Sequence, residues 1–154
     1  MAKTLKLWFS SREFGRVLSG TEVVTSTTLT NIKNKSGLNI TKQDIDNFPL
    51  LLKTFAVYNK PIYRGISKTD KLYQQIMNGN KHVSTHRYYS CSKSKLFGQM
   101  FSAIDNILLV IKTNKNFDVS HYSREQEVIL DRNIILTVIN IIQEDKFTVI
   151  YLSD

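Results

Sequence analysis

Five residues carry the chemistry that this sequence offers: Arg64, Ser90, Ser92, Glu125 and Glu127. Arg64 stands in Tyr63-Arg64-Gly65, inside the apolar-flanked segment 62–66. An arginine at the end of a strand presents a fixed, always-charged fork whose donors match a pyrophosphate, and the glycine after it lets backbone approach a ligand closely. A strand-edge arginine in a surface ion pair fits the same residue. Ser90-Cys91-Ser92 places two hydroxyls at a strand-to-helix junction, where they cap the helix or orient a neighbouring carboxylate. Phe97 and Phe101 follow at i,i+4, as a flat surface for a planar ring or simply as core. Glu125-Gln126-Glu127 then leads into Val128-Ile129-Leu130. Alternation at a strand entrance points Glu125 and Glu127 to one side, and the apolar run carries Glu127 to the edge of the core. A carboxylate held there is costly unless it is hydrogen-bonded or used.

The elements that must position these groups follow from periodicity. Ser10 caps a short helix over residues 11–18 that Gly20 ends. Residues 21–30 are β-branched and read as a strand or an irregular connector, and residues 33–37 as a loop. Ile45, Phe48, Leu52 and Phe55 recur at helical spacing after Thr41 or Asn47 as caps. A strand over 62–66, a helix over 69–77, a strand over 88–90 and a helix over 92–104 come next. The last third reads as strands over 107–113, 125–130, 134–142 and 147–152, with a loop over 114–124 and a turn at 143–146. Helices early and strands late make an α+β domain.

The totals set bounds. The 154 residues suit one domain, 1–154, with residues 1–40 left structurally open. With 42% hydrophobic and 22% charged residues the composition is that of a globular protein. No run has the length to span a bilayer, and the start lacks a secretory leader's apolar run, so the expected setting is cytoplasmic. One cysteine, Cys91, excludes an internal disulfide framework. His82 and His86 have no nearby carboxylate in sequence to complete a zinc site, so no metal is expected. The net charge of +8, from 21 basic and 13 acidic residues, favours anionic partners without choosing among dinucleotides, nucleic acid and acidic protein faces.

In order and chemistry, Tyr63-Arg64-Gly65, Ser90-Cys91-Ser92 and Glu125-Gln126-Glu127-Val128-Ile129-Leu130 resemble the arginine-serine-glutamate class of mono-ADP-ribosyltransferases. The resemblance spans roughly residues 50–152; Cys91 stands where that class has a threonine. The size and the Lys/Asn/Ile-rich composition are similar to phage-encoded members that modify host proteins, which would place this chain in the host cytoplasm.

The resemblance implies an ADP-ribosyltransferase fold with a split sheet around an NAD cleft. It also implies cleavage of NAD at its nicotinamide–ribose bond, with NAD as co-substrate and no metal. In it Glu127 stabilises positive charge growing on the ribose, Ser90 orients Glu127, and Arg64 anchors the phosphates. Tyr63, Gly65 and Ser92 line the dinucleotide, and Phe97 or Phe101 holds the nicotinamide end. Glu125 faces the acceptor, which a glutamate at that position marks as arginine on a target protein. Tyr122, in the loop before the motif, is the aromatic candidate for that contact. Nucleic acid or a nucleic-acid-associated protein is the alternative acceptor, which the +8 charge would suit. A basic binding module without chemistry, and an enzyme that mainly hydrolyses NAD, are the competing readings.

Overall fold

Threonine caps decide the structure of the first third. In the computed structural model, which describes residues 1–20, 22–102 and 104–154, Thr25 and Thr28 form a reciprocal capping box at the start of helix α3 (Ser26–Ser36). Thr41 and Asp44 form another at the start of α4 (Lys42–Leu52). Each box satisfies backbone N–H groups that the first helical turn leaves without partners. The β-branched run that suggested a strand or connector over 21–30 is therefore helical from Ser26 onward, while Thr21 lies outside the described residues. The same helix absorbs most of the loop expected at 33–37 and ends at Gly37, whose φ of 72° suits glycine.

Before these come α1 (Lys3–Ser10) and α2 (Arg12–Leu18). The cap of α2 is Ser11, which accepts from the Phe14 N–H, rather than Ser10, whose hydroxyl donates back to the Lys6 carbonyl. Residues 1–54 form one unit. Its core joins Leu5, Leu7, Phe14, Ile32, Ile45, Phe48 and Leu52, with Phe14 edge-on to Phe48 at 5.4 Å between ring centroids.

Residues 55–154 form the second unit, built on one sheet. Its strands are β1 (Ile62–Ile66), β2 (His82–Ser84), β3 (Tyr89–Ser92), β4 (Ile107–Lys112), β5 (Asn116–Asp118), β6 (Glu127–Leu130), β7 (Ile135–Glu144) and β8 (Phe147–Ser153). Their order is β2-β7-β8-β4-β1-β3-β6-β5, and only β4 and β8 run parallel. The helices are α5 (Lys71–Met77) and α6 (Lys95–Phe101), with a short 3-10 turn at Ser120–Tyr122. The expected helix over 92–104 is thus shorter at both ends, because Ser94 is its cap; Ala103 lies outside the described residues. Alternation along the strands sorts side chains onto two faces. Ile62, Ile66, Leu109, Ile111, Cys91, Val128 and Leu130 pack with Leu72 and Ile76 of α5 on one face. Leu108, Val110 and Val149 pack with Tyr63, Phe147 and Tyr151 on the other.

Two glycines let α6 lie against β1. A Cβ added to Gly65 would sit 2.1 Å from the Ser102 backbone nitrogen, and one added to Gly98 would sit 2.5 Å from the Tyr63 Cβ. Real Cβ atoms do not approach so closely, so either substitution must push the helix off the strand. We expect Gly65→Ala and Gly98→Ala each to lower stability by about 2 kcal/mol or more, read as a fall in the urea midpoint. A parent-like midpoint for both would show that the helix–strand contact is looser than described.

Candidate active site

The site begins where β1 and β3 stop pairing. β1 is paired with β4 along its whole length, but with β3 only where Tyr63 faces Ser92. Beyond that point a side chain takes over from the ladder: Arg64 Nη1 donates to the Ser90 carbonyl oxygen at 2.9 Å. The guanidinium also lies 5.3 Å from the centroid of the Phe101 ring, a cation–π contact from the last residue of α6. Its Nε is shielded from solvent and has no hydrogen-bond partner. Burial lowers the arginine's pKa; the Arg87 charge adds to that, while Cys91, Asp70 and Tyr89 oppose it. An arginine stays charged through such a shift.

On the other side of β3, β6 pairs in register, setting Ser92 opposite Glu127 and Ser90 opposite Ile129. Paired residues share a face, so Tyr63, Ser90, Ser92 and Glu127 line one side of three adjacent strands. Glu127 is 6% exposed and is followed by fully buried Val128, Ile129 and Leu130. Between Arg64 and Glu127 lies Cys91, whose thiol is pushed up to about 12 by burial, with Arg64 pulling it down and Glu127 pushing it up. That thiol is not a nucleophile at neutral pH. Residues 64, 90 and 127 thus stand on three adjacent strands, β1, β3 and β6.

The other expected residues fall as follows. Glu125 is exposed and lies outside β6. Gln126 between the two glutamates has φ 52°, so strand alternation does not reach Glu125 and, contrary to expectation, does not align it with Glu127. Ser92 Oγ donates to the Glu125 carbonyl at 2.6 Å and accepts from the Ser94 N–H at 3.0 Å, which commits it to the turn before β6. The Cβ side of Gly65 faces α6 backbone, so the close approach it permits is to a helix rather than to open cleft. Phe97 is part-buried on α6. Tyr122 is 44% exposed and meets Phe55 edge-on at 6.2 Å. Phe55, expected on the helix with Leu52, lies past the end of α4. Among the described residues, no group of three or more His, Cys, Asp or Glu is placed to hold a metal ion.

Two features were not read from the sequence. Asp70 caps α5, accepts from Tyr89 Oη at 2.8 Å and pairs with Arg87 Nη2 at 3.2 Å, while Arg87 lies 4.1 Å over the Tyr89 ring. This bracket fixes the end of β3 that leads into Ser90. Lys93 does the same for the glutamate turn: its N–H donates to the Gln126 carbonyl at 3.0 Å, and its Nζ pairs with Asp118 at 2.8 Å and lies 4.5 Å over the Tyr58 ring. Aspartates and lysines at such spacings look like ordinary surface charges in a sequence; only the i,i+2 cap from Asp70 to Leu72 left a local signal.

Burial raises the Asp118 pKa, but Lys93 and the Ser120 hydroxyl and N–H outweigh it, and the carboxyl ends below its ordinary value. A carboxyl depressed by folding stabilises the native state fully above its unfolded pKa, about 4, and loses that contribution as pH falls through the folded value. Asp118→Asn should therefore cost stability at pH 7 and show a smaller acid-induced loss than the parent below about pH 4. Parallel stability–pH curves for the two proteins would remove Asp118 from the account.

No protein-family model and no curated protein matches the sequence. Solved structures do match the fold. Vis toxin, an ADP-ribosyltransferase from Vibrio splendidus, is similar over 98% of this chain and 70% of its own, at 17% identity and a TM-score of 0.70. The ADP-ribosyltransferase Vis in complex with agmatine is similar over 99% and 74%, at 17% identity and a TM-score of 0.67. Exoenzyme S from Pseudomonas aeruginosa, in complex with human 14-3-3 protein beta and bound to Carba-NAD, is similar over 97% and 70%, at 12% identity and a TM-score of 0.66. The α+β fold is thus the one found in ADP-ribosyltransferases.

Proposed function

We propose that this chain is a mono-ADP-ribosyltransferase of the arginine-serine-glutamate class, cleaving NAD and transferring its ADP-ribose to an arginine side chain of a target protein. The observation that carries this reading is Arg64. Its guanidinium is held by a backbone carbonyl and an aromatic ring, its Nε has no hydrogen bond, and it has no carboxylate ion pair among the described residues. A buried donor without a partner costs free energy that an anionic ligand would recover, and a pyrophosphate fits the arginine fork.

The roles are those that the resemblance implies. Arg64 anchors the phosphates and Tyr63 flanks the dinucleotide, while Gly65 and Ser92 shape the surroundings, through the contact with α6 and through the glutamate turn. Ser90 orients Glu127. Glu127, buried at the head of an apolar strand, stabilises positive charge that develops at the ribose as the bond to nicotinamide lengthens; exclusion of water strengthens that interaction. Phe97 and Phe101 hold the nicotinamide end. The exposed Glu125 pairs with the acceptor guanidinium and draws off its proton, and Tyr122 contacts the target protein. A guanidinium acceptor is in keeping with agmatine, itself a guanidinium compound, in the complex with Vis, and NAD with the Carba-NAD of Exoenzyme S. The +8 charge keeps nucleic acid as a second acceptor class, distinguished by whether label from NAD resists protease or nuclease.

Glu127→Gln should slow nicotinamide release from NAD by about 10²–10³-fold with an unchanged melting temperature. Glu125→Gln should keep hydrolysis of NAD but lose transfer to agmatine. A folded Glu127→Gln protein that releases nicotinamide at the parent rate would sink the enzymatic reading. Equal transfer by Glu125→Gln would sink the arginine acceptor alone.

A further inference from the structure

The two ends of the sheet are protected unequally. At one end β5 is three residues long, its Asp118 is held by Lys93, and the Asp118 N–H is spent on the Ala56 carbonyl. Short strands and charges are the usual means of keeping a sheet edge from pairing. At the other end β2 covers only Ile135, Leu136 and Thr137 of the ten-residue β7, and the Val138 N–H donates to the Lys81 carbonyl at 2.8 Å. From Ile139 to Gln143 the outer side of β7 has no strand beside it among the described residues. That stretch, Ile139-Asn140-Ile141-Ile142-Gln143, has no charge, no proline and no glycine, and all five residues are exposed. It lacks every protection that the β5 edge has.

The hairpin fixes which groups this edge offers. A two-residue turn closes on a hydrogen-bonded pair, here Glu144 with Phe147. By alternation Ile142 and Asn140 also bond to β8, and Ile141 and Gln143 turn their N–H and C=O groups outward. The bulge at Ile139 reverses the alternation, in keeping with the outward N–H of Val138. A strand added here must therefore bond to residues 141 and 143. A second copy does so in one antiparallel register. Ile141 pairs with Gln143 of the second copy, Gln143 with its Ile141, and the two Ile142 residues meet on a two-fold axis. In that register the turn carrying Asp145 in each copy lies beside Lys81 of the other, and both residues are exposed. We propose that this edge of β7 is a self-association surface that joins two chains into one continuous sheet. The self-fit of the register and the opposite charges of Asp145 and Lys81 name a second copy, rather than an unrelated strand, as the occupant. This surface uses no residue of the NAD reading and stands independently of it.

Sedimentation velocity of the full chain tests this. We expect the mass to move from monomer to dimer as concentration rises to about 100 μM, and association at least about tenfold weaker in Ile141→Lys. Lys81→Glu sets a carboxylate against Asp145 of the second copy and should weaken association as well. As a change at an exposed side chain, it decides the matter should Ile141→Lys fail to fold. Ile142→Cys should form an intermolecular disulfide on oxidation, because facing residues of a non-hydrogen-bonded pair have Cα atoms about 4.5 Å apart. Ile135→Cys, equally exposed but beside β2, should not. A chain that stays monomeric, a dimer indifferent to both charged substitutions, or equal cross-linking at 135 and 142 would overturn the proposal.

Discussion

A positive charge set into the gap between two strands is the constraint that the sheet unit is organised around. Arg64 substitutes a side-chain donor for the backbone donor that β1 would otherwise offer to Ser90. That substitution works only because the rest of β1 is tied down elsewhere. β4 pairs with every residue of β1, and α6 approaches closely enough that Gly65 and Gly98 leave no room for a methyl group. With its strand fixed on one edge and one face, the guanidinium has a single place to go.

The carboxylate side is held by different means. β6 enters the sheet through a left-handed residue, Gln126, and the turn around it is fixed by Ser92 and Lys93 of the neighbouring segment. The strand that carries Glu127 is thus registered against the strand that carries Ser90 by bonds made just outside the ladder. The arginine is set by helix packing and the glutamate by turn chemistry, and the strands that carry them flank a shared β3. Buried Cys91 on β3 contributes small size and apolar filling.

Much of this was legible in the amino-acid sequence, and the reasons for the rest are physical. The strands over 62–66, 107–112, 135–144 and 147–153 announce themselves by apolar runs and a polar turn, and α4 by its period and cap. Residues 64, 90 and 127, singled out by type and order, lie on adjacent strands. The helix at Ser26–Ser36 was missed because threonine's weak helical preference hid a capping box made by the same residue type. The pairing of Asp70 with Arg87 and Tyr89, and of Lys93 with Asp118, joins residues distant in sequence, and no local pattern encodes it. The alignment of Glu125 with Glu127 failed on one backbone angle, at a residue whose type gives no warning of it.

The single parallel pairing has a consequence for how the protein is assembled. β8 lies inside the sheet, between β7 and β4, although it is the last strand in the order of the chain. The hairpin of β7 and β8 closes locally, whereas β4 must wait for a strand some forty residues further on. Until that distant segment arrives, the strand that braces β1 has one edge open. Bracing the arginine's strand therefore costs two long loop closures, β1 with β4 and β4 with β8, while the β7–β8 hairpin costs a short one.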